Sequence, residues 1–190
     1  CPEVAARAYA KKMEQPFEPV FYKMRGERSF QGSNAGQRKK SIGQNLHLLP
    51  GMAEKLRGKT VVLIDDSIVR GNNSKRARDL LYKEAQVKKA YLVSYTPPIG
   101  IIGDDGVPRG CMFGVDMPPD PPPGDEFIAR SRSIEEISAA MEMPVVYMSR
   151  KGMLKAFERA GLGERNLCTY CIGGRMPFEM AGSLIQIGDK

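Results

Sequence analysis

The chain has 190 residues, of which 42% are apolar and 27% charged, enough for one substantial globular domain or a domain with appendages. No apolar run approaches the ~20 residues a bilayer-spanning helix requires, and no signal-peptide pattern opens the chain, so the expectation is a soluble, cytoplasmic protein with no membrane partner. A net charge of +7 favours anionic partners, but the basic residues are dispersed and lack aromatic interleaving, which argues for small phosphorylated ligands and against nucleic acid.

Residues 3–14, EVAARAYAKKME, carry small apolar side chains on one face and lysines on the other, which predicts a helix. Pro16 and Pro19 stop it, and residues 20–22 read as a short strand. A parallel sheet normally has a strand before such a helix, so the chain reads as a fragment whose first strand is missing. Residues 25–45 are polar, basic and rich in glycine and serine, the composition of a lid-like loop. A short helix over 51–56 and a turn at Gly58-Lys59 lead into a strand at 60–64, apolar throughout as if buried on both faces. After a loop at 65–73, residues 74–84 predict an amphipathic helix, and 89–95 a strand ending at Pro97-Pro98. Strand, loop, helix and strand at this spacing predict a right-handed crossover in an α/β fold with a mostly parallel sheet flanked by helices.

Residues 99–125, with PPDPPPG at 118–124, read as an irregular or surface segment rather than a core element. Ser133 and Glu136 form a capping-box pattern for a helix to Met141. A strand at 145–148 and a helix at 151–160, closed by Gly161, complete the expected domain, 1–161. An irregular tail with a Cys-x-x-Cys occupies 162–190. The four cysteines, at 1, 111, 168 and 171, do not make a disulfide framework in a chain of this size. Cys1 raises the thought of an N-terminal nucleophile, but Pro2-Glu3-Val4 leads into a helix and not into a strand.

The segment with the densest chemistry is VVLIDDSIVRGNNSK at 61–75. Ligands of open parallel sheets bind outside the carboxyl ends of strands, which is where Asp65 and Asp66 fall. Two adjacent carboxylates there need a cation or hydroxyl donors as an answer, and a vicinal diol or hydrated magnesium fits. Gly71 permits a tight turn, while Asn72, Asn73, Ser74 and the following helix start offer donors for a phosphate. A ribose 5-phosphate has the matching shape.

This run, with DDSIVRG at its centre, resembles the phosphoribosyl-pyrophosphate (PRPP) loop of type I phosphoribosyltransferases, and within them the amidophosphoribosyltransferase family. Lys23-Met24-Arg25 with Arg28-Ser29-Phe30 is similar to that family's KNR…RTF segment. Phe113-Gly114-Val115-Asp116-Met117, the region 127–137, and Cys168-Thr-Tyr-Cys171 resemble further stretches, in order along nearly the whole chain. Asn72-Asn73 stands where the family usually has two threonines, Gln44-Asn45 where it commonly has a basic pair, and the family's glutaminase domain has no counterpart in this sequence.

The resemblance implies a glycosyltransferase of purine biosynthesis that joins ammonia, free or glutamine-derived, to PRPP with release of pyrophosphate. It implies catalytic roles for Asp65, Asp66 and Arg28, with Lys39 or Lys40 closing over pyrophosphate. It assigns PRPP and phosphate binding to Ser67, Val69, Arg70, Gly71, Asn72, Asn73 and Ser74, and Mg²⁺ to Asp65 and Asp66. Cys111, Cys168 and Cys171 fall near the ligands of a [4Fe–4S] cluster in one branch of the family. At residue level, thiols with an incidental Cys-x-x-Cys remain open, and so does zinc, although His47 is remote and reads as a surface or packing residue. Implied partners are feedback purine nucleotides, a glutaminase domain or subunit, and further copies of the chain in a homo-oligomer. Competing readings are another type I phosphoribosyltransferase, for which no base-covering hood is visible, and a non-catalytic PRPP or nucleotide sensor.

Overall fold

The computed structural model describes residues 2–23, 46–111, 113 and 117–174. In chain order its elements are helix α1 (Pro2–Lys12), strands β1 (Phe21–Lys23) and β2 (Leu46–Leu48), helix α2 (Met52–Leu56) and strand β3 (Thr60–Asp65). Helix α3 (Asn72–Asp79) continues as a π-turn (Leu80–Glu84) before strand β4 (Lys89–Ser94). Helix α4 (Ile134–Met141), strand β5 (Val145–Tyr147) and helix α5 (Arg150–Arg159) follow, then short 3-10 turns at Glu164–Asn166 and Tyr170–Ile172.

β3, β4 and β5 form a parallel three-stranded sheet in that order, confirming the expected α/β class. Period-two alternation puts Ala90, Leu92 and Val145 inward, where they join Ile68, Leu81, Ile137 and Met141 in the main core. The opposite face is only partly covered: α1 packs against β3, yet Val62 is 41% and Val146 50% exposed. That corrects the expectation of a strand buried on both faces. An unbroken apolar run looks the same whether its second face is covered fully or in part.

Two boundaries move in ways that matter for the site. β3 keeps Asp65 in the ladder, paired in register with Ser94. Helix α3 starts at Asn72, two residues before the expected Ser74, because Gly71 at φ 79° turns the chain directly into the helix. β2 went unforeseen: three residues give no periodicity to read. It pairs antiparallel with β1, Tyr22 opposite His47, and their rings stack at 5.3 Å, so the single histidine is a packing residue. The capping box at α4 is present as expected, with the Ser133 hydroxyl accepting from the Glu136 amide at 3.2 Å and the Glu136 carboxylate accepting from the Ser133 amide at 2.7 Å.

The described residues of 99–125 are irregular and many are exposed, as the composition predicts, but several points along the segment are buried. Ile99 and Phe127 are buried with Ile172 in a second cluster, and Arg109 and Asp125 are buried too. Gly100, at φ 76°, lies so close to the Phe127 ring that an added Cβ would sit 2.1 Å from Cγ. The backbone here is satisfied by a single antiparallel bridge, Ile102 to Pro108, by scattered backbone bonds and by side chains. Arg130 donates to the carbonyls of Arg109 at 2.7 Å, Pro119 at 3.0 Å and Gly100.

Candidate functional site

Asp65 and Asp66 sit at the carboxyl end of β3, where the chain leaves the sheet. The Asp65 side chain is half-buried and accepts from the Asp66 amide at 3.0 Å, whereas Asp66 is exposed. Burial pushes the Asp65 carboxyl up to about 7, and the hydrogen bond and charge of the Asp66 carboxylate add to the rise. The Asp66 amide and the Lys23 ammonium, at the end of β1, act in the opposite sense. Adjacent in sequence, the two acids occupy different environments.

The chain then anchors itself. Ile68 is 1% exposed in the main core, and the Val69 carbonyl accepts from the Ile128 amide at 2.8 Å. Arg70 turns inward to pair with buried Asp125, Nε to Oδ1 at 2.8 Å and Nε to the Asp125 carbonyl at 3.0 Å. Ser67 stays partly accessible between the acids and this anchor. At Gly71 an added Cβ would lie 2.8 Å from the Met141 sulfur and 2.9 Å from Ile128 Cδ1. Having no side chain, Gly71 provides no cap, so the first-turn amides of α3 at Asn72, Asn73 and Ser74 lack a capping side chain. Asn73 is exposed, Asn72 half-buried and Ser74 buried.

Arg28, Lys39, Lys40 and the Gln44-Asn45 pair lie outside the described residues, as do Cys1 and Gly114–Asp116. Cys111, Cys168 and Cys171 do come together: burial first, then the neighbouring Cys111 and Cys168, raise the Cys171 thiol. Even so, among the described residues no group of three or more His, Cys, Asp or Glu side chains is arranged to hold a metal ion. A [4Fe–4S] cluster takes four ligands, and these three thiols do not supply the set. Magnesium is less demanding, since it commonly uses one or two carboxylates with waters and substrate phosphates, and Asp65 and Asp66 suit that donor set. Also among the described residues, no helix is long and apolar enough to cross a membrane.

Sequence reasoning missed the side of the site that β4 supplies. The Tyr95 amide donates to the Asp65 carbonyl at 3.2 Å and the Thr96 hydroxyl to the Asp66 carbonyl at 2.9 Å. The Tyr95 phenol is raised by burial and by the charges of Asp66 and Asp65, which places it beside the pair. The available signal was the run Ser94-Tyr95-Thr96 directly before two prolines, hydroxyls at a strand end where the ladder must stop. A cleft of ≈ 460 Å³ bordered by Arg150, Lys155 and Glu158 contains none of these residues.

A parallel α/β sheet, an acid pair at one strand's carboxyl end and a glycine turn into an uncapped helix start place the chain in the type I phosphoribosyltransferase class. No family model matches it. Amidophosphoribosyltransferases do: that of Archaeoglobus fulgidus is 36% identical over 130 residues, 68% of this chain and 25% of that protein. The Bacillus subtilis protein is 31% identical over 183 residues, 93% of this chain and 34% of its own length. The chloroplastic protein of Glycine max is 33% identical over 178 residues, 93% of this chain and 28% of its own. The chain belongs to the amidophosphoribosyltransferase family, and spans a quarter to a third of the length of these relatives.

Proposed function

We propose that the chain is the phosphoribosyltransferase part of an amidophosphoribosyltransferase, joining ammonia to C1 of PRPP in the first step of purine synthesis. The observation that carries this is the succession of two half-sites along one loop: the Asp65–Asp66 pair at the strand end, and the uncapped amides of Asn72, Asn73 and Ser74 after Gly71. In the reaction the C1–N bond forms as the C1–O bond to pyrophosphate breaks, pyrophosphate departs with the bonding electrons, and ammonia loses a proton to solvent.

The protein supplies no nucleophile; it positions the ribose and stabilises charge at C1. Asp65 and Asp66 accept from the 2′ and 3′ hydroxyls and present negative charge to the forming oxocarbenium. Backbone amides from Ser67 to Ser74 receive the 5-phosphate, with Val69 and Arg70 acting through the buried anchor that shapes the loop. Arg28 is proposed to meet pyrophosphate. Magnesium, held by the acid pair, would neutralise the pyrophosphate charge. A cluster at Cys111, Cys168 and Cys171 would need a further ligand, and an anaerobic visible spectrum tests for it. On the same reading, a glutaminase domain or subunit supplies the ammonia, purine nucleotides act as feedback ligands, and the chain self-associates.

The test is ammonia-dependent release of pyrophosphate from Mg·PRPP. Turnover is expected in the wild-type chain, and Asp65→Asn should reduce it by at least ~100-fold with the fold intact. PRPP binding without turnover would instead favour a sensor, and turnover with a nucleobase another member of the class.

A further inference from the structure

We propose that Ser94 and Thr96 are positioning residues for the acid pair. Their hydroxyls form a relay from the end of β4 that fixes the Asp66 carbonyl, and so sets how the Asp65 and Asp66 carboxylates diverge toward the ligand. The proposal rests on the PRPP-site reading above, which names that ligand.

Ser94 is fully buried and stands in register between Asp65 and Tyr147, in a column whose inner positions on β4 and β5 are otherwise the apolar Ala90, Leu92 and Val145. A hydroxyl there costs free energy unless it is hydrogen-bonded, and four contacts surround it. Its Oγ lies 3.0 Å from the Thr96 carbonyl, 3.1 Å from Thr96 Oγ1 and 3.5 Å from the Asp66 carbonyl, and it accepts from the Thr96 amide at 3.3 Å.

Each hydroxyl has one proton to give. The Asp66 carbonyl can only accept, and Thr96 Oγ1, at 2.9 Å, approaches it more closely than Ser94 does. The Thr96 proton therefore goes to Asp66. The Ser94 proton goes to Thr96, at its carbonyl or its hydroxyl, while a Ser94 lone pair receives the Thr96 amide. The relay holds Thr96 from both backbone and side chain.

The position explains why such a relay exists. Pro97 and Pro98 have no amide to continue the sheet, and the Asp66 carbonyl has left the ladder. Hydroxyls make up the missing partners. The Tyr95 amide meanwhile holds the Asp65 carbonyl at 3.2 Å. With the carbonyls on either side of the Asp66 Cα both held from β4, the direction of its Cβ is set. Asp66 is exposed while Asp65 is half-buried.

The 190-residue chain tests this with Thr96→Val, which removes the hydroxyl at constant shape, and Thr96→Ser, which keeps it. By calorimetry, Thr96→Val is expected to weaken Mg·PRPP binding about tenfold, because misplacement at a site of this kind is felt strongly. Thr96→Ser should remain within about twofold of wild type, and inorganic phosphate should bind all three chains alike. Wild-type binding by Thr96→Val overturns the proposal, and so does an equal loss in Thr96→Ser. If the wild-type chain does not bind Mg·PRPP, the site reading fails, and the relay is then judged on the ¹³C carboxyl resonances of Asp65 and Asp66 without ligand. Thr96→Val should move them and Thr96→Ser should not; resonances unmoved in both overturn it.

Discussion

At the carboxyl edge of the sheet, backbone groups that have left the ladder are caught by short hydroxyl side chains and neighbouring amides, within a residue or two of the strands. Between 99 and 130 the described residues form no strand beyond a single antiparallel bridge, Ile102 to Pro108, and guanidinium groups brace the chain: Arg130 at three carbonyls, Arg109 at Asp105, 2.9 Å away. Both regions bury irregular backbone. The edge does so with local, low-entropy contacts that leave the Asp66 carboxylate accessible. The second region depends heavily on one side chain, Arg130, that holds several distant points, so its order should collapse when that side chain is lost.

Arg130→Leu is the most direct way to break that contrast. It removes donors from the carbonyls of Gly100, Arg109 and Pro119 together, and should lower stability by about 3–5 kcal/mol. Urea denaturation measures it. A loss below about 1 kcal/mol would mean that these carbonyls find other partners, and the two regions would no longer differ in kind.

Two glycines sharpen the same contrast. At Gly100 a methyl group meets the Phe127 ring, which is walled in by the second core cluster, and the backbone has φ 76°. Gly100→Ala should cost about 2–4 kcal/mol. At Gly71 the backbone is similar, φ 79°, but the methyl group meets the flexible ends of Met141 and Ile128. Gly71→Ala should cost about 1–2 kcal/mol, chiefly through the backbone. Thermal unfolding of the pair checks the order, and a reversed order would locate the tighter packing at the Gly71 turn.

The sheet edge was the more legible region because its determinants are local. An apolar run ending in Asp65-Asp66 and a glycine before a helix announce strand, site and turn within fifteen residues. The capping box at Ser133 and Glu136 was legible for the same reason. The partners that β4 brings to the acid pair were not, since Ser94 and Thr96 become its neighbours only through the register Asp65–Ser94. The burial of Ile99, Arg109 and Asp125 within 99–125 was illegible on composition alone, because glycine and proline report the absence of regular structure and much of the rest of the segment is exposed. Arg130 and Phe127, which brace Arg109 and Ile99, lie beyond its end.

The smallest expected effect separates the two acids of the edge itself. Asp65 carries a carboxyl raised from 3.8 to about 7, chiefly by burial. Between those values the folded chain holds a proton that the unfolded chain has released, so this contribution to stability is full at low pH and is lost as pH rises through 7. From pH 6 to pH 8 the ligand-free protein should lose about 2–4 °C in Tm through this group, a difference of about 1 kcal/mol. Asp65→Asn should flatten that part of the profile and be the more stable form at pH 8, although it is the variant expected to lose turnover. Binding runs the other way. A proton on Asp65 competes with the cation, so Mg·PRPP affinity should fall up to about tenfold per unit as pH drops below 7. A flat affinity profile alongside a sloping Tm would assign the cation to Asp66 alone. The opposed slopes, if both are found, mean that the buried member of the pair is held at an energetic cost in the empty site which the bound cation offsets.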